Sequence, residues 1–267
     1  MVERTGDGGS RIRPLAELLL SLRYLTRLPI PFARTLDMPP LAQAMRFFAV
    51  AGAVVGALSG AVLVLLNLAG LPSLLAAVLA VGVGAIITGA IHEDGIADMA
   101  DGFGGGSTRE ERLEIMHDSR IGAYGTIALM ITLLARVVVF EAMLGLEPLS
   151  AIVLISAAAA FSRAMMVDVL WATRPAGEDD RAHLLGRPTR NTTLVALISG
   201  GLYVAFAGGY FLERETGIIA LIAALLITAG LRALSMRLIG GQTRDVLGGV
   251  QILSEIAMLT VFVSSSG

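Results

Sequence analysis

Polar residues in this chain are confined to short intervals between long apolar runs. Runs of about 20 residues recur, the length that a helix rising 1.5 Å per residue needs to cross roughly 30 Å of hydrocarbon. They predict seven membrane-spanning helices, over residues 47–67, 73–91, 121–143, 149–171, 192–212, 217–239 and 246–264. The fifth contains Gly200-Gly201 and Gly208-Gly209, which suit either a packing interface or a break in the helix. Ahead of the first span, Leu15, Leu18, Leu19, Leu22 and Leu25 recur at helical spacing, with Glu17, Ser21 and Arg23 turned away from them. That is the pattern of an amphipathic helix lying in the membrane interface. Thr26-Arg27-Leu28-Pro29-Ile30-Pro31 ends it, because each proline restricts the residue before it. The first residues are polar and Arg-rich with no signal-peptide pattern, so the N-terminus is expected to stay on the mature protein.

Composition agrees: 55% of the 267 residues are hydrophobic, 16% are charged, and mean hydropathy is +0.77. This excludes a soluble globular domain. The expected fold is an all-α, polytopic helical bundle with about seven transmembrane helices. Residues 1–46 form an N-terminal segment carrying the interfacial helix, and residues 47–267 form one transmembrane domain. There is no cysteine, which excludes disulfides, thiolate nucleophiles and Cys-ligated zinc. All 20 basic residues are arginine, which excludes Schiff-base chemistry and a P-loop lysine. A net charge of -2 on a membrane protein makes membrane lipid, not nucleic acid, the expected surroundings.

The arginines are asymmetric. Sixteen of the 20 lie in residues 1–46, 92–120, 172–191 and 237–245, whereas the opposite connections hold only Arg214. The positive-inside rule then puts the N-terminus, the acidic loop 92–120 and the basic loop 172–191 in the cytoplasm.

Carboxylates crowd one of these loops. Eight of the 22 acidic residues fall in the 27 positions from His92 to Asp118. Asp94, Asp98 and Asp101 follow at i, i+4 and i+7, so a second span that continues as a helix past the membrane surface projects all three from one face. A divalent cation relieves their repulsion, and oxygen-only ligands point to Mg²⁺ or Mn²⁺ ahead of zinc. The helix is expected to stop at Gly102-Phe103-Gly104-Gly105-Gly106, where Gly104 and Gly105 allow close backbone approach to a ligand. Ser107 or Thr108 with Glu110 or Glu111 reads as a capping box opening a short helix through about His117. Glu110, Glu111 and Glu114 suit a solvated helix face as well as a metal site. His92 is equally a helix-end residue or a ligand. In the basic loop, Arg174, Arg181, Arg187 and Arg190 suit phosphate recognition or anionic lipid. Arg136, Arg163, Asp168, Arg232 and Glu255 lie within spans and are expected to pair with one another.

Two segments carry a family resemblance. His92-Glu93-Asp94-Gly95-Ile96-Ala97-Asp98-Met99-Ala100-Asp101-Gly102-Phe103 and Leu113-Glu114-Ile115-Met116-His117-Asp118-Ser119-Arg120-Ile121-Gly122 resemble the hallmark of the adenosylcobinamide-GDP ribazoletransferase (cobalamin 5′-phosphate synthase) family. Leu25-Thr26-Arg27-Leu28-Pro29-Ile30-Pro31, Ser162-Arg163, Gly186-Arg187 and Gly240-Gly241-Gln242-Thr243 with Asp245 extend the resemblance over nearly the whole chain. Glu93 stands where an apolar residue is usual, and Arg244 replaces the glycine expected before Asp245. The resemblance implies a bacterial inner-membrane enzyme of late cobalamin biosynthesis that requires Mg²⁺. Such an enzyme joins adenosylcobinamide-GDP to α-ribazole or its 5′-phosphate and releases GMP. By position it implies Asp94, Asp98, Asp101 and Asp118 as metal ligands, Asp98 and Asp118 as catalytic residues with Asp118 a candidate base, and Arg120, Arg187, Gly104, Gly105 and Asp245 as substrate contacts. A homo-oligomer and association with other cobamide-synthesis enzymes stay open. Asp98-x-x-Asp101-Gly102 is also similar to the start of the motif in CDP-alcohol phosphotransferases, whose following Ala-Arg pair is absent here. A cation-coupled transporter is the competing class, because intramembrane acids and arginines also mark ion pathways.

Overall fold

The computed structural model describes residues 8–29, 39–177 and 185–265. Arg181, Ile30 and Pro31 of the sequence motifs lie outside the described residues. The helices are α1 (Gly8–Leu25), α2 (Leu41–Ala44, followed by a 3-10 turn Met45–Phe47), α3 (Phe48–Leu68), α4 (Ser73–Thr88), α5 (Ile91–Gly105), α6 (Arg109–His117), α7 (Ala123–Met143), α8 (Pro148–Ala172), α9 (Arg190–Phe211), α10 (Thr216–Leu238) and α11 (Arg244–Ser264). The only β feature among the described residues is a single parallel bridge between Pro175 and Gln242. Six segments (Leu41–Leu68 and α7 to α11) are long and apolar enough to cross a membrane, and α4 with α5 makes a seventh only as a pair bent by 90°. The fold is therefore the expected all-α membrane bundle.

α8 is the axis of the bundle, buried along most of its length. It accepts close neighbours because its middle is Ala157-Ala158-Ala159-Ala160 and because α3 meets it with Gly52, Gly56 and Gly60. A Cβ built on Gly52 would lie 2.3 Å from the Ala159 carbonyl oxygen, and one on Gly56 only 2.7 Å from the Ser156 Cα. In hydrocarbon, where apolar side chains gain nothing by leaving lipid, such backbone proximity supplies the packing attraction. The glycines of α9 do the same, for α9 is unbroken, and a Cβ on Gly208 would stand 2.5 Å from the Gly217 nitrogen of α10.

The charges within the spans pair as expected, with one addition. Arg136 Nη1 donates to Glu93 Oε1 at 2.6 Å and Arg136 Nη2 meets Glu255 Oε1 at 3.3 Å. Arg163 Nη1 meets Glu255 Oε2 at 3.0 Å, and Gln251 Nε2 donates to the same oxygen at 2.6 Å. Two guanidinium and two carboxylate groups cancel. Glu93, which stands in place of an apolar residue, is thus the buried counterion of Arg136 and adds no charge to the open acidic face. Arg232 pairs separately with Asp168 at 3.3 Å.

α1 corrects the sequence reading in one respect. Glu17 and Ser21 are turned away from the leucines, yet they face the protein and not water. Glu17 forms an ion pair with Arg46, and the Ser21 hydroxyl donates to the Ala44 carbonyl at 2.7 Å. Both are buried, whereas Leu15 is 53% exposed. The helix docks by its polar face together with Leu22 and the fully buried Leu25 at its C-terminal end, while Leu15 at the other end is left to the membrane interface.

Candidate active site

The arginine-bearing segments around Arg27, Arg109, Arg174 and Arg244 meet at one end of the bundle. The Arg27 amide donates to the Ile87 carbonyl at 2.7 Å, and the 173–177 and 240–243 segments exchange hydrogen bonds through Ala176, Gln242 and Arg174. Arg109 of α6 ties them together, donating from Nε to the Ile239 carbonyl at 2.9 Å and from Nη2 to the Ala176 carbonyl.

α5 carries the acidic face into this end. The second span does not continue straight as expected. α4 stops at Thr88, Gly89 (φ 68°) and Ala90 (φ 55°) are both left-handed, and the chain turns through 90° before α5 begins. A left-handed alanine costs about 1–2 kcal/mol, so surrounding contacts must hold this corner. α5 thereby leaves the spanning segments and crosses the start of α11 at a glycine contact. A Cβ on Gly95 would lie 3.0 Å from the Asp245 carbonyl oxygen and 3.2 Å from the Gly248 Cα. This places the half-buried Asp245, the predicted substrate contact, against the acidic helix.

The three aspartates share α5 but not an environment. Asp94 is exposed and Asp98 half-buried, while Asp101 is buried. Asp101 accepts from the Gly122 amide at 2.7 Å on one oxygen and from the Gly125 amide at 2.8 Å on the other. It therefore caps the first turn of α7 from a neighbouring helix. A Cβ on either glycine would come within 2.4 Å of that carboxylate, which is why both positions are glycine. Among the described residues, no three Asp, Glu or His side chains form a ready-made metal cluster. Asp94 and Asp98 remain as an open pair one helical turn apart. Such a pair fits Mg²⁺, which takes one or two carboxylates and completes its shell with water and substrate phosphate. The Asp98 carboxyl is pushed up to about 6, first by partial burial and then by Asp94 and Asp101, against an opposing pull from Arg244 and His117. This is the electrostatic state of a face short of positive charge.

The helix does not stop at Gly102 as expected, and the glycine run is not a loop. α5 continues through Gly105, and none of Gly102, Gly104, Gly105 or Gly106 has a positive φ. These glycines admit packing instead: the Tyr124 ring covers Gly104, Gly105 lies near Ile115, and α6 folds onto Gly102 through Met116. The capping box is formed by Thr108 and Glu111, and α6 ends at His117 as expected. Glu110 and Glu114 are exposed. Asp118 accepts from the Arg120 backbone amide at 3.0 Å and from its guanidinium at 2.7 Å, and these bonds hold its carboxyl down at about 2.

Of the predicted arginines, Arg120 is exposed and engaged with Asp118, and Arg187 donates to the Trp171 carbonyl from Nε at 3.0 Å and Nη2 at 2.6 Å. Arg187 also lines a cavity of about 350 Å³ with Arg174 and Gln242, whose buried Oε1 has no partner. Sequence reasoning gave no role to Arg23, Arg27 or Arg244, which line a second cavity of about 460 Å³ beside the start of α5. Arg27 belongs to a motif already singled out and Arg23 lies four residues before it, but nothing local marks Arg244 as their neighbour.

Comparisons with known proteins identify the family of the chain. A family model described as cobalamin-5-phosphate synthase matches residues 17–263. A protein of Azorhizobium caulinodans named adenosylcobinamide-GDP ribazoletransferase is 41% identical over 254 residues, spanning 92% of this chain and 95% of its own. A Sinorhizobium protein of the same name is 42% identical over 244 residues, spanning 90% and 92%. One from Shewanella frigidimarina is 31% identical over 255 residues, spanning 95% and 96%. No solved structure matches. With the match running from α1 to α11 and taking in the acidic helix, its cap and the arginine loops, the chain belongs to the cobalamin-5-phosphate synthase family.

Proposed function

We propose that this protein joins adenosylcobinamide-GDP to α-ribazole or its 5′-phosphate, releasing GMP and forming adenosylcobalamin or its 5′-phosphate. The observation that carries the reading is the open Asp94–Asp98 pair on α5, at the end of the bundle where the arginine-bearing segments converge. The ribazole hydroxyl attacks the diphosphate and GMP leaves, so negative charge grows on the transferring and leaving oxygens. Asp94 and Asp98 are the residues that would hold Mg²⁺, which supplies neutralisation of that charge when bound. Asp101 acts on the scaffold: by capping α7 it ties α5 to the start of that helix. Asp245, lying against Gly95, and Arg187, in its own cavity, border the same end and are positioned to meet substrate. We place this end in the cytoplasm on the arginine asymmetry, and the bundle in the bacterial inner membrane on the family resemblance.

Detergent-purified protein given adenosylcobinamide-GDP, α-ribazole and Mg²⁺ tests the reading through GMP release over time. Asp98→Asn should elute and melt like the wild type while losing about 100-fold or more of its Mg²⁺-dependent rate. Unchanged release from that variant removes Asp98 from the site.

A further inference from the structure

One ion pair of the bundle has no part in the transfer and is not sealed. Asp168 of α8 and Arg232 of α10 meet at 3.3 Å with side chains 19% and 38% exposed, although both residues lie within membrane spans. Charges in such spans normally face the bundle interior, as those of Glu93, Arg136, Arg163 and Glu255 do. The opening follows from the way α9 leaves α10. Next to the turn that joins them the two touch backbone to backbone, a Cβ on Gly208 standing 2.5 Å from the Gly217 nitrogen, whereas one on Gly201 would find of α10 only the Leu221 side chain, at 3.9 Å. Gly201 also packs on Phe161 of α8. Asp168 is seven residues beyond Phe161, two turns nearer the acidic end on the same face of α8. The pair therefore stands on the side where α9 has drawn away from α10.

Asp168 is four residues from the end of α8 and Arg232 six from the end of α10, about 6 and 9 Å along axes that rise 1.5 Å per residue. At that depth hydrocarbon gives way to the headgroup layer. Trp171, three residues beyond Asp168 and 37% exposed, is of the type that settles at this boundary. A single hydrogen bond from Arg232 Nη1 to Asp168 Oδ2 joins the pair, and among the described residues neither the rest of the guanidinium fork nor the second carboxylate oxygen has a protein partner. Such groups are costly beside lipid unless something answers both. The two charges cancel, so a plain anion gains little here. We propose that Asp168 and Arg232 form a site for a phospholipid whose headgroup carries a primary ammonium beside its phosphate, a phosphatidylethanolamine: the phosphate accepts from Arg232 and the ammonium donates to Asp168. Phosphatidylcholine has the same charges but no N–H to donate, and phosphatidylglycerol has only the phosphate. The site is independent of the transfer reading, and either can fail alone.

The test uses the full chain, purified in detergent, stripped of lipid and given phosphatidylethanolamine, phosphatidylcholine or phosphatidylglycerol at equal mole fraction. Trp171, the single tryptophan, reports melting and, with brominated acyl chains, contact through quenching. Phosphatidylethanolamine should raise the melting temperature by about 3 °C or more beyond the rise that phosphatidylcholine gives. It should reach half-maximal quenching at about a tenfold lower mole fraction, the difference made by one charge-assisted hydrogen bond. Both differences should vanish in Asp168→Asn and in Arg232→Gln. They should vanish too when the two substitutions are combined, a variant that leaves no charge unpaired and that decides the matter if a single variant does not fold. Equal effects of phosphatidylethanolamine and phosphatidylcholine on the wild type overturn the proposal. So does a preference for phosphatidylethanolamine that survives in the variants, which would put its headgroup elsewhere. A phosphatidylglycerol effect as large as that of phosphatidylethanolamine, lost in Arg232→Gln and kept in Asp168→Asn, also overturns it and assigns an anionic lipid to the arginine alone.

Discussion

Replacing Asp101 with alanine removes two charge-assisted hydrogen bonds at once, those from the Gly122 and Gly125 amides at 2.7 and 2.8 Å. Each bond of this kind contributes about 1.5–3 kcal/mol net, and the carboxylate also complements the positive end of α7 by roughly 0.5 kcal/mol or more. Alanine should therefore destabilise the protein by about 3.5–6.5 kcal/mol. At roughly 2–4 °C per kcal/mol for a chain of this size, the melting temperature should fall on the order of 10 °C. Asparagine keeps one acceptor oxygen and turns an amide N–H toward the second backbone N–H, so about half the loss or more remains. Trp171 is the single tryptophan and sits at the end of α8, which makes intrinsic fluorescence during a detergent melt a suitable assay. GMP release against Mg²⁺ concentration, measured well below the melt, supplies the second axis. If Asp101 anchors α7, stability falls while the half-saturating Mg²⁺ concentration moves by less than about threefold. A melting temperature within 1–2 °C of wild type, together with a tenfold or larger rise in that Mg²⁺ concentration, would refute the capping argument and return Asp101 to the metal shell.

Three further outcomes are expected. Glu93→Leu leaves Arg136 sharing Glu255 with Arg163 and should cost about 3–5 kcal/mol, whereas Glu93→Leu with Arg136→Leu should recover at least half of that; additive losses in melts of the single and double variants would show that the network is not coupled. Gly208→Leu should separate α9 from α10 and abolish monodisperse elution, and a variant that elutes like wild type contradicts the close approach at Gly217. Asp98 ionises near 6 in the folded protein against its ordinary 3.8, so the folded state binds more protons than the unfolded state between those values. Stability then declines as pH rises through that window; with EDTA present the decline should be shallower in Asp98→Asn, and parallel pH curves would exclude the shift.

The spans were legible because crossing hydrocarbon is a requirement of length and polarity that each segment meets by itself. α7, α8, α10 and α11 start and stop within about two residues of the apolar runs at 121–143, 149–171, 217–239 and 246–264. The Thr108–Glu111 capping box was equally readable, since both partners lie within one turn of chain. The one misplaced boundary inside the bundle is the corner at Gly89-Ala90. It depends on a left-handed alanine, a conformation that residue does not favour and that only its surroundings maintain.

Side-chain roles were read less well, for a reason that Asp94, Asp98 and Asp101 make plain. Helical spacing states which side chains share a face, and the three do lie on α5. It does not state what stands opposite that face. α7 happens to present two glycine amides to Asp101, while open space meets Asp94, so one arrangement of residues divides into a cap and an accessible pair. Glu93 found Arg136 across 43 positions of sequence, and Glu17 turned inward to Arg46, by the same circumstance. Local chemistry sets length, polarity and caps because those energies are settled within a few residues. Pairing between helices depends on which backbone comes near which, and that is settled by glycine contacts such as Gly52 on Ala159 and Gly95 on Gly248, whose meaning exists only once both helices are in place.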